Sequence, residues 1–204
     1  MAGAAGGITV VPANEASWDD LQTVFGTRGD AVRCQCQRFK IGPAAWTPEP
    51  WEERAARLRD ETGCGNPDAP TTSGLVAYLD GEPVGWCAVE PRTAYQKLIT
   101  GRSPVPWAGR DEDKADDTVW AVTCFVTRAG YRHRGVSTAL ATAAVSFARD
   151  RGARAIEGYA MITRPGQEIT WGEVFVGSRN AFADAGFTEV SHPTPRRVVM
   201  RIDF

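Results

Sequence analysis

Apolar and polar positions along the chain repeat with two different periods, and each change of period marks an element. The short β-branched run ITVV (8–11) predicts a strand. In NEASWDDLQTVF (14–25), Trp18, Leu21 and Phe25 recur at helical spacing, with Asn14 or Ser17 placed to cap, and Gly26 ends the pattern. RCQCQRFKIGPAAW (33–46) has no period. TPEPWEERAARLRDET (47–62) predicts a second helix, capped by Thr47, with prolines in its first turn and Trp51, Ala55 and Leu58 on one face. GLVAYLDGEPVGWCAVEP (74–91) predicts a hairpin, because Asp80-Gly81 suits the positive φ of a tight turn. Residues 92–117 are polar and broken by Pro104, Pro106 and Gly109, and predict a long loop or insertion with one helical turn.

Beyond 117 the pattern sharpens. TVWAVTCFV (118–126) is a strand fit for burial on both faces. Val136, Ala139, Leu140, Ala143, Ala144, Phe147 and Ala148 keep an i, i+3, i+4 rhythm, with Gly152 placed as a C-cap. ARAIEGYAM (153–161) predicts the next strand. Strand, helix, strand at these lengths is a crossover that makes the two strands parallel neighbours. A short helix in SRNAFADAGF and strands in TEVSHP and RRVVMRIDF complete an α/β sandwich with a mixed sheet, expected as a single domain over 1–204 with residues 1–7 disordered.

Composition narrows the classes. The chain has 204 residues, enough for one sizeable core, and 43% of them are apolar. A net charge of −2 offers no general attraction to nucleic acid or an acidic membrane face, so any anion site is local. The start MAGAAGG lacks the basic and apolar regions of a signal peptide, and no apolar run approaches the ~20 residues of a membrane span, so a cytoplasmic location is expected. The five cysteines (Cys34, Cys36, Cys64, Cys87, Cys124) are odd in number and read as free thiols. Cys34 and Cys36 with Cys64 lack the fourth ligand of a structural zinc site, so no metal is expected.

The turn AGYRHRGVSTAL (129–140) is the candidate anion site. A helix N-terminus carries unpaired N–H groups and partial positive charge. Gly135 allows close approach to the backbone, Arg132 and Arg134 add charge, and Ser137 and Thr138 add donors, which together favour a diphosphate. Read alone, a basic exposed turn with no ligand explains these residues equally well.

The stretch 124–161 resembles the acyl-CoA-binding core of the Gcn5-related N-acetyltransferase (GNAT) superfamily, whose motif is Gln/Arg-x-x-Gly-x-Gly/Ala. Here it reads Arg132-His133-Arg134-Gly135-Val136-Ser137, with serine in the last small position. NAFADAGFTEV resembles the family's closing helix and Gly-Phe turn (Gly186, Phe187), and the hairpin matches its second and third strands. The resemblance implies a GNAT-like mixed, mostly antiparallel sheet flanked by helices, with a central parallel strand pair splayed around acyl-CoA.

It also implies roles. The pantetheine arm would pair with the backbone of Cys124, Phe125 and Val126, and the diphosphate would sit on the N–H groups from Arg132 through His133, Arg134, Gly135, Val136 and Ser137 to Thr138. Acetyl-CoA would be the donor to an amine attacking directly, with the N–H of Phe125 or Val126 steadying the oxyanion. Many relatives carry a tyrosine four residues before the Gly-Phe glycine; here Phe182 has no proton to give.

For the proton, Glu157 and Tyr159 share one face of a strand by period two and are the first candidates; the structural alternative pairs Glu157 with Arg154 or Arg149 and leaves Tyr159 in the core. Glu90 is the next candidate, against a solvated strand end. Cys124 lacks an adjacent base and reads as a small hydrophobe. Residues 33–46 and 92–117 are expected to wall an acceptor pocket, with Trp107 its best aromatic; Trp18, Trp51 and Trp86 are expected in the core. The acceptor expected is a small-molecule amine, with a protein N-terminus or lysine as the alternative. The rival classes are a catalytically silent acyl-CoA-binding module and a plain nucleotide- or phosphate-binding α/β domain. No nucleic-acid or membrane partner is expected, and a homodimer is a prior only.

Overall fold

The computed structural model describes residues 7–42, 46, 49–101, 103–163 and 171–204. Among them seven strands form one sheet: β1 (Ile8–Pro12), β2 (Leu75–Leu79), β3 (Glu82–Pro91), β4 (Val119–Thr127), β5 (Ala155–Gly158), β6 (Thr188–Thr194) and β7 (Arg197–Asp203), in the order β1-β2-β3-β4-β5-β7-β6. Every neighbouring pair is antiparallel except β4 and β5, which run parallel from Val119↔Ala155 to Val122↔Gly158. The ladder then stops. β5 is therefore shorter than its apolar run predicts, because beyond Gly158 the two strands part.

The helices follow their caps. Ser17, not Asn14, caps α1 (Trp18–Phe25), accepting from the Asp20 N–H at 3.0 Å, and Gly26 closes it at φ 77°. A short α2 spans Asp30–Cys34. α3 (Trp51–Thr62) starts after Pro50 and ends at Gly63 in the left-handed region; the expected Thr47 cap and residues 1–6 lie outside the described residues. Ala55 and Leu58 are buried as expected, but Trp51 is 41% exposed. Arg54 is buried instead, its guanidinium donating to the Arg33 carbonyl at 2.7 Å and to the carbonyls of Trp46 and Glu49. Asp80 and Gly81 make the predicted hairpin turn, at φ 54° and 81°.

α5 (Val136–Arg149) provides the crossover and covers one face of the sheet. Its Val136, Leu140, Ala144, Phe147 and Ala148 pack against Cys87, Val89, Trp120, Val122 and Ile156. Each such large side chain taken from water contributes about 1.5–3 kcal/mol. α1 covers the other face through Leu21, Val24 and Phe25, against Val76, Trp86, Ala88, Cys124 and Val126.

The segment 92–117 is more ordered than a long loop. It carries a 3-10 turn (Arg92–Ala94) and α4 (Gln96–Thr100), and plants Tyr95 and Leu98 on Ala121, Tyr159 and Val199. After β5 come a single turn α6 (Trp171–Val174) and α7 (Arg179–Asp184), whose N-cap Ser178 accepts from Ala181 N–H at 3.2 Å. No helix among the described residues is long and apolar enough to cross a membrane.

Candidate active site

The turn after β4 is built by three positive-φ residues: Gly130 at 87°, His133 at 60° and Gly135 at 78°. Gly135 is the N-cap of α5, and among the described residues no side-chain hydrogen bond caps that end. Its missing Cβ would meet nothing within 4 Å, so the space above the backbone is open. A helix N-terminus of this kind carries unpaired N–H groups and partial positive charge, which favour an anion.

A cavity of about 270 Å³ lies over this turn, between Tyr131, His133 and the α5 start on one side and Ser178 and Asn180 on the other. Of the residues expected to hold a diphosphate, His133, Gly135, Val136, Ser137 and Thr138 line it. Arg132 does not: it borders a neighbouring cleft with Thr27 and Arg28. Arg134 lies over the Tyr131 ring at 5.3 Å.

Cys124, Phe125 and Val126 line no part of this cavity and are 2%, 4% and 3% exposed. Peptide N–H groups alternate in direction along a strand. Arg128 N–H donates to Val84 on β3, and the even positions Val126 and Cys124 face β3 with it. Of the two N–H groups expected to steady an oxyanion, that of Val126 is therefore turned away. That of Phe125 points into the gap beside β4, where it donates to the Phe175 carbonyl at 2.6 Å.

Glu157 is fully buried. Its Oε1 accepts from the Tyr159 phenol at 2.6 Å and from Arg92 at 3.2 Å; its Oε2 accepts from Arg110 at 2.5 Å and from Arg201 at 3.2 Å. The expected partners Arg154 and Arg149 lie elsewhere: Arg154 pairs with Asp116 at 2.6 Å, and Arg149 lies over the Phe204 ring. Glu157 faces away from α5, so it meets the arginines of 92–117 and β7. Burial, then the Glu157 charge, pushes the Tyr159 phenol well above its usual range, which keeps its proton on.

Trp107 does not offer an open aromatic face. Its indole N–H donates to the Leu98 carbonyl at 2.6 Å, and Arg92, Arg110 and Lys114 surround its ring at 4.8, 5.6 and 5.2 Å. Trp86 is fully buried as expected, and Trp120 joins the core against Phe147.

The aperiodic stretch 33–46 supplies a cluster with no local signature. Lys40 Nζ lies 2.9 Å from Glu61 and 2.5 Å from Glu90, in the wall of a second cavity of about 470 Å³ that Arg57 and Gln37 also border. Glu90 is thus no solvated strand end. Burial raises its carboxyl above the ordinary value, and Lys40 offsets only part of that.

Lys40 lies over the Tyr95 ring, and the phenol sits between Glu90 and Thr123. The register between β3 and β4 slips at Ala88/Val89, so Thr123 is the extra residue of a β-bulge. The Tyr95 and Thr123 hydroxyls are both buried, and with the Glu90 carboxyl they form one polar cluster beneath the bulge. Bulges re-aim side chains beside active sites, and this one turns a hydroxyl toward Tyr95. A threonine inside the apolar run TVWAVTCFV was the visible signal.

The cysteines are free. Cys36 accepts from the Trp86 indole at 3.2 Å, and burial, then Cys36, pushes the Cys124 thiol well up. No group of three potential metal ligands occurs among the described residues. Phe182 is fully buried, with its ring 5.6 Å from Phe125 and 5.0 Å from Phe187.

The model of the acetyltransferase (GNAT) family matches residues 37–165. This chain belongs to the GNAT family. The matched range takes in β3, the bulged β4, the turn at Gly135 and β5. GNAT membership supports acyl-CoA-dependent acetyl transfer in general. The fold agrees with an N-acetyltransferase from Staphylococcus aureus Mu50 at TM-score 0.53, with 11% identity over 97% of this chain and 98% of that one. It also matches the GNAT domain of S. lividans PAT (TM-score 0.50, 16% identity, 97% and 89% covered). A third match is the ribosomal-protein-alanine N-acetyltransferase of Brucella melitensis (TM-score 0.50, 14% identity, 96% and 99% covered). At these identities the likeness is one of fold. No curated protein matches the sequence.

Proposed function

We propose that this GNAT chain moves an acetyl group from acetyl-CoA to the amine of a small molecule, by direct attack with both substrates bound. The observation that carries the reading is the uncapped start of α5, open above Gly135, at the mouth of the parting β4 and β5. Its residues fit a diphosphate: backbone N–H groups in series, two hydroxyls and exposed arginines beside them. When bound, acetyl-CoA supplies a thioester whose carbon accepts the amine. The N–C bond forms, the C–S bond breaks, and the amine gives up a proton.

The chain's own residues divide that work. The Phe125 N–H is the group aimed at the thioester oxygen. Glu90, with its raised pKa, suits the role of base better than an ordinary glutamate, and the Tyr95 phenol lies between it and Thr123 at the bulge. Glu157 already accepts from four donors, which suits it and Tyr159 to positioning: they fix the 92–117 wall against β5 and β7. With Phe182 in place of the phenol many relatives carry, a thiolate of pKa about 8.5 leaves without a protein acid. The second cavity, bordered by Lys40, Glu61 and Glu90, is the acceptor side, and its two carboxylates suit an amine.

The test is acetyl transfer from acetyl-CoA to a panel of amino acids, polyamines, aminoglycosides, arylamines and short peptides, read by mass spectrometry. An acetylated small amine is expected; acetylation of peptides alone turns the reading to a protein N-acetyltransferase. The Phe175 carbonyl on the Phe125 N–H and the absent phenol favour one second reading, a silent acyl-CoA-binding module. It predicts saturable acetyl-CoA binding with no product.

A further inference from the structure

Where β4 and β5 part, the gap between them holds a piece of the chain. On the β4 side, Phe125 N–H donates to the Phe175 carbonyl at 2.6 Å. On the β5 side, Met161 N–H donates to the Gly177 carbonyl at 2.9 Å, and Arg179 N–H donates to the Met161 carbonyl at 2.8 Å. Residues 175–179 therefore bridge both lips of the gap. Gly177 makes this possible: at φ +90° a Cβ there would lie 2.7 Å from the rings of both Phe125 and Phe182. Thr127 and Ser178 line the cavity over the α5 start, and Phe125 does not.

The same segment reaches the acceptor side. Phe175 is 7% exposed, with its ring 6.1 Å from Phe39 and the Arg38 guanidinium 5.3 Å above it. Phe39 and Arg38 adjoin Lys40, which borders the second cavity.

We propose that the Phe175–Ser178 strap is an internal occupant of the acyl-CoA slot: its Phe175 carbonyl stands where the thioester carbonyl must sit, so acetyl-CoA enters fully only by lifting it, and the lifting loosens the Phe39–Lys40 wall of the acceptor pocket. The inference rests on the acyl-CoA reading above. It makes donor binding precede acceptor binding, because the acceptor wall is released only once the carbonyl of Phe175 has given up the Phe125 N–H. It also separates the two halves of the donor. The diphosphate turn is open in the closed state, and the deep slot is not.

The test uses the full chain and two probes, acetyl-CoA and adenosine 3′,5′-bisphosphate, which carries the nucleotide end without the pantetheine arm. Titration calorimetry on the wild type and on Phe175→Ala is paired with hydrogen exchange on the wild type. Acetyl-CoA is expected to bind Phe175→Ala at least fivefold more tightly than wild type, while the bisphosphate binds both alike. In the wild type, acetyl-CoA speeds exchange over 175–178 and leaves the Phe125 amide protected, whereas the bisphosphate leaves 175–178 unchanged. Should Phe175→Ala not fold, the wild-type exchange decides alone. Acetyl-CoA binding with 175–178 unmoved, or equal affinity in variant and wild type, overturns the strap and spares the acyl-CoA reading. Binding of neither probe to either protein overturns both.

Discussion

Arg92 and Glu157 stand 65 residues apart in sequence and 3.2 Å apart in space, with neither side chain exposed to solvent. One opens the 92–117 segment and the other lies mid-strand in β5. Because each is desolvated, each needs the other, and Arg110, Arg201 and Tyr159 complete the set. The pair fastens the segment that carries Tyr95 to the strand beside the parting point.

Glu157→Gln leaves three arginines without their shared carboxylate. Breaking a buried pair this way costs about 3–5 kcal/mol, on the order of 10 °C in melting temperature for a chain of this size. Thermal unfolding followed by circular dichroism checks it. At about 2–4 °C per kcal/mol, a melting temperature within about 2 °C of wild type contradicts the anchoring role.

Gly135→Ala separates ligand binding from folding. The new Cβ meets no protein atom, so the left-handed φ is the only strain, roughly 1–2 kcal/mol. It does fill the space above the cradle. Acetyl-CoA affinity is expected to fall about tenfold or more, equivalent to about 1.4 kcal/mol, while the fold persists. Unchanged affinity by calorimetry removes Gly135 from the donor site.

Glu90 sets a pH dependence. Its carboxyl is raised by burial, so it becomes an ionised base only above the range of an ordinary glutamate. The acid limb of kcat/KM for the amine acceptor is expected above that range. Glu90→Gln should flatten the limb and lower the rate by a factor of about 10² or more. Acetyl-CoA affinity is unchanged, since Glu90 lies on the acceptor side. A wild-type acid limb in the variant rules Glu90 out.

Cys124→Ala is expected to keep transfer within about twofold of wild type, because a buried thiol raised well above its usual pKa supplies no thiolate. Trapping an acetylated Cys124 by mass spectrometry is the contrary result.

Local order was legible where one face of an element is apolar. The i, i+3, i+4 rhythm of 136–148 and the Asp80-Gly81 turn each report a nearest-neighbour requirement, and each appears in place. Trp51 failed that reading because it is the first residue of α3, outside the part of the helix that packs. Segment 92–117 failed it because its order comes from what it lands on. Its polar composition hid the fact that Arg92 is fully buried.

The sequence by itself determined the strand–turn–helix of the GNAT cradle, its open glycine and the loss of the phenol at Phe182, because each depends on residues a few positions apart. Only the tertiary structure decided who partners Glu157, that Lys40 joins Glu61 to Glu90, and that the Phe175 carbonyl holds the Phe125 N–H. Those pairings follow from strand register and from which segments settle on the sheet, and no periodicity along the chain encodes a contact made across 50 residues.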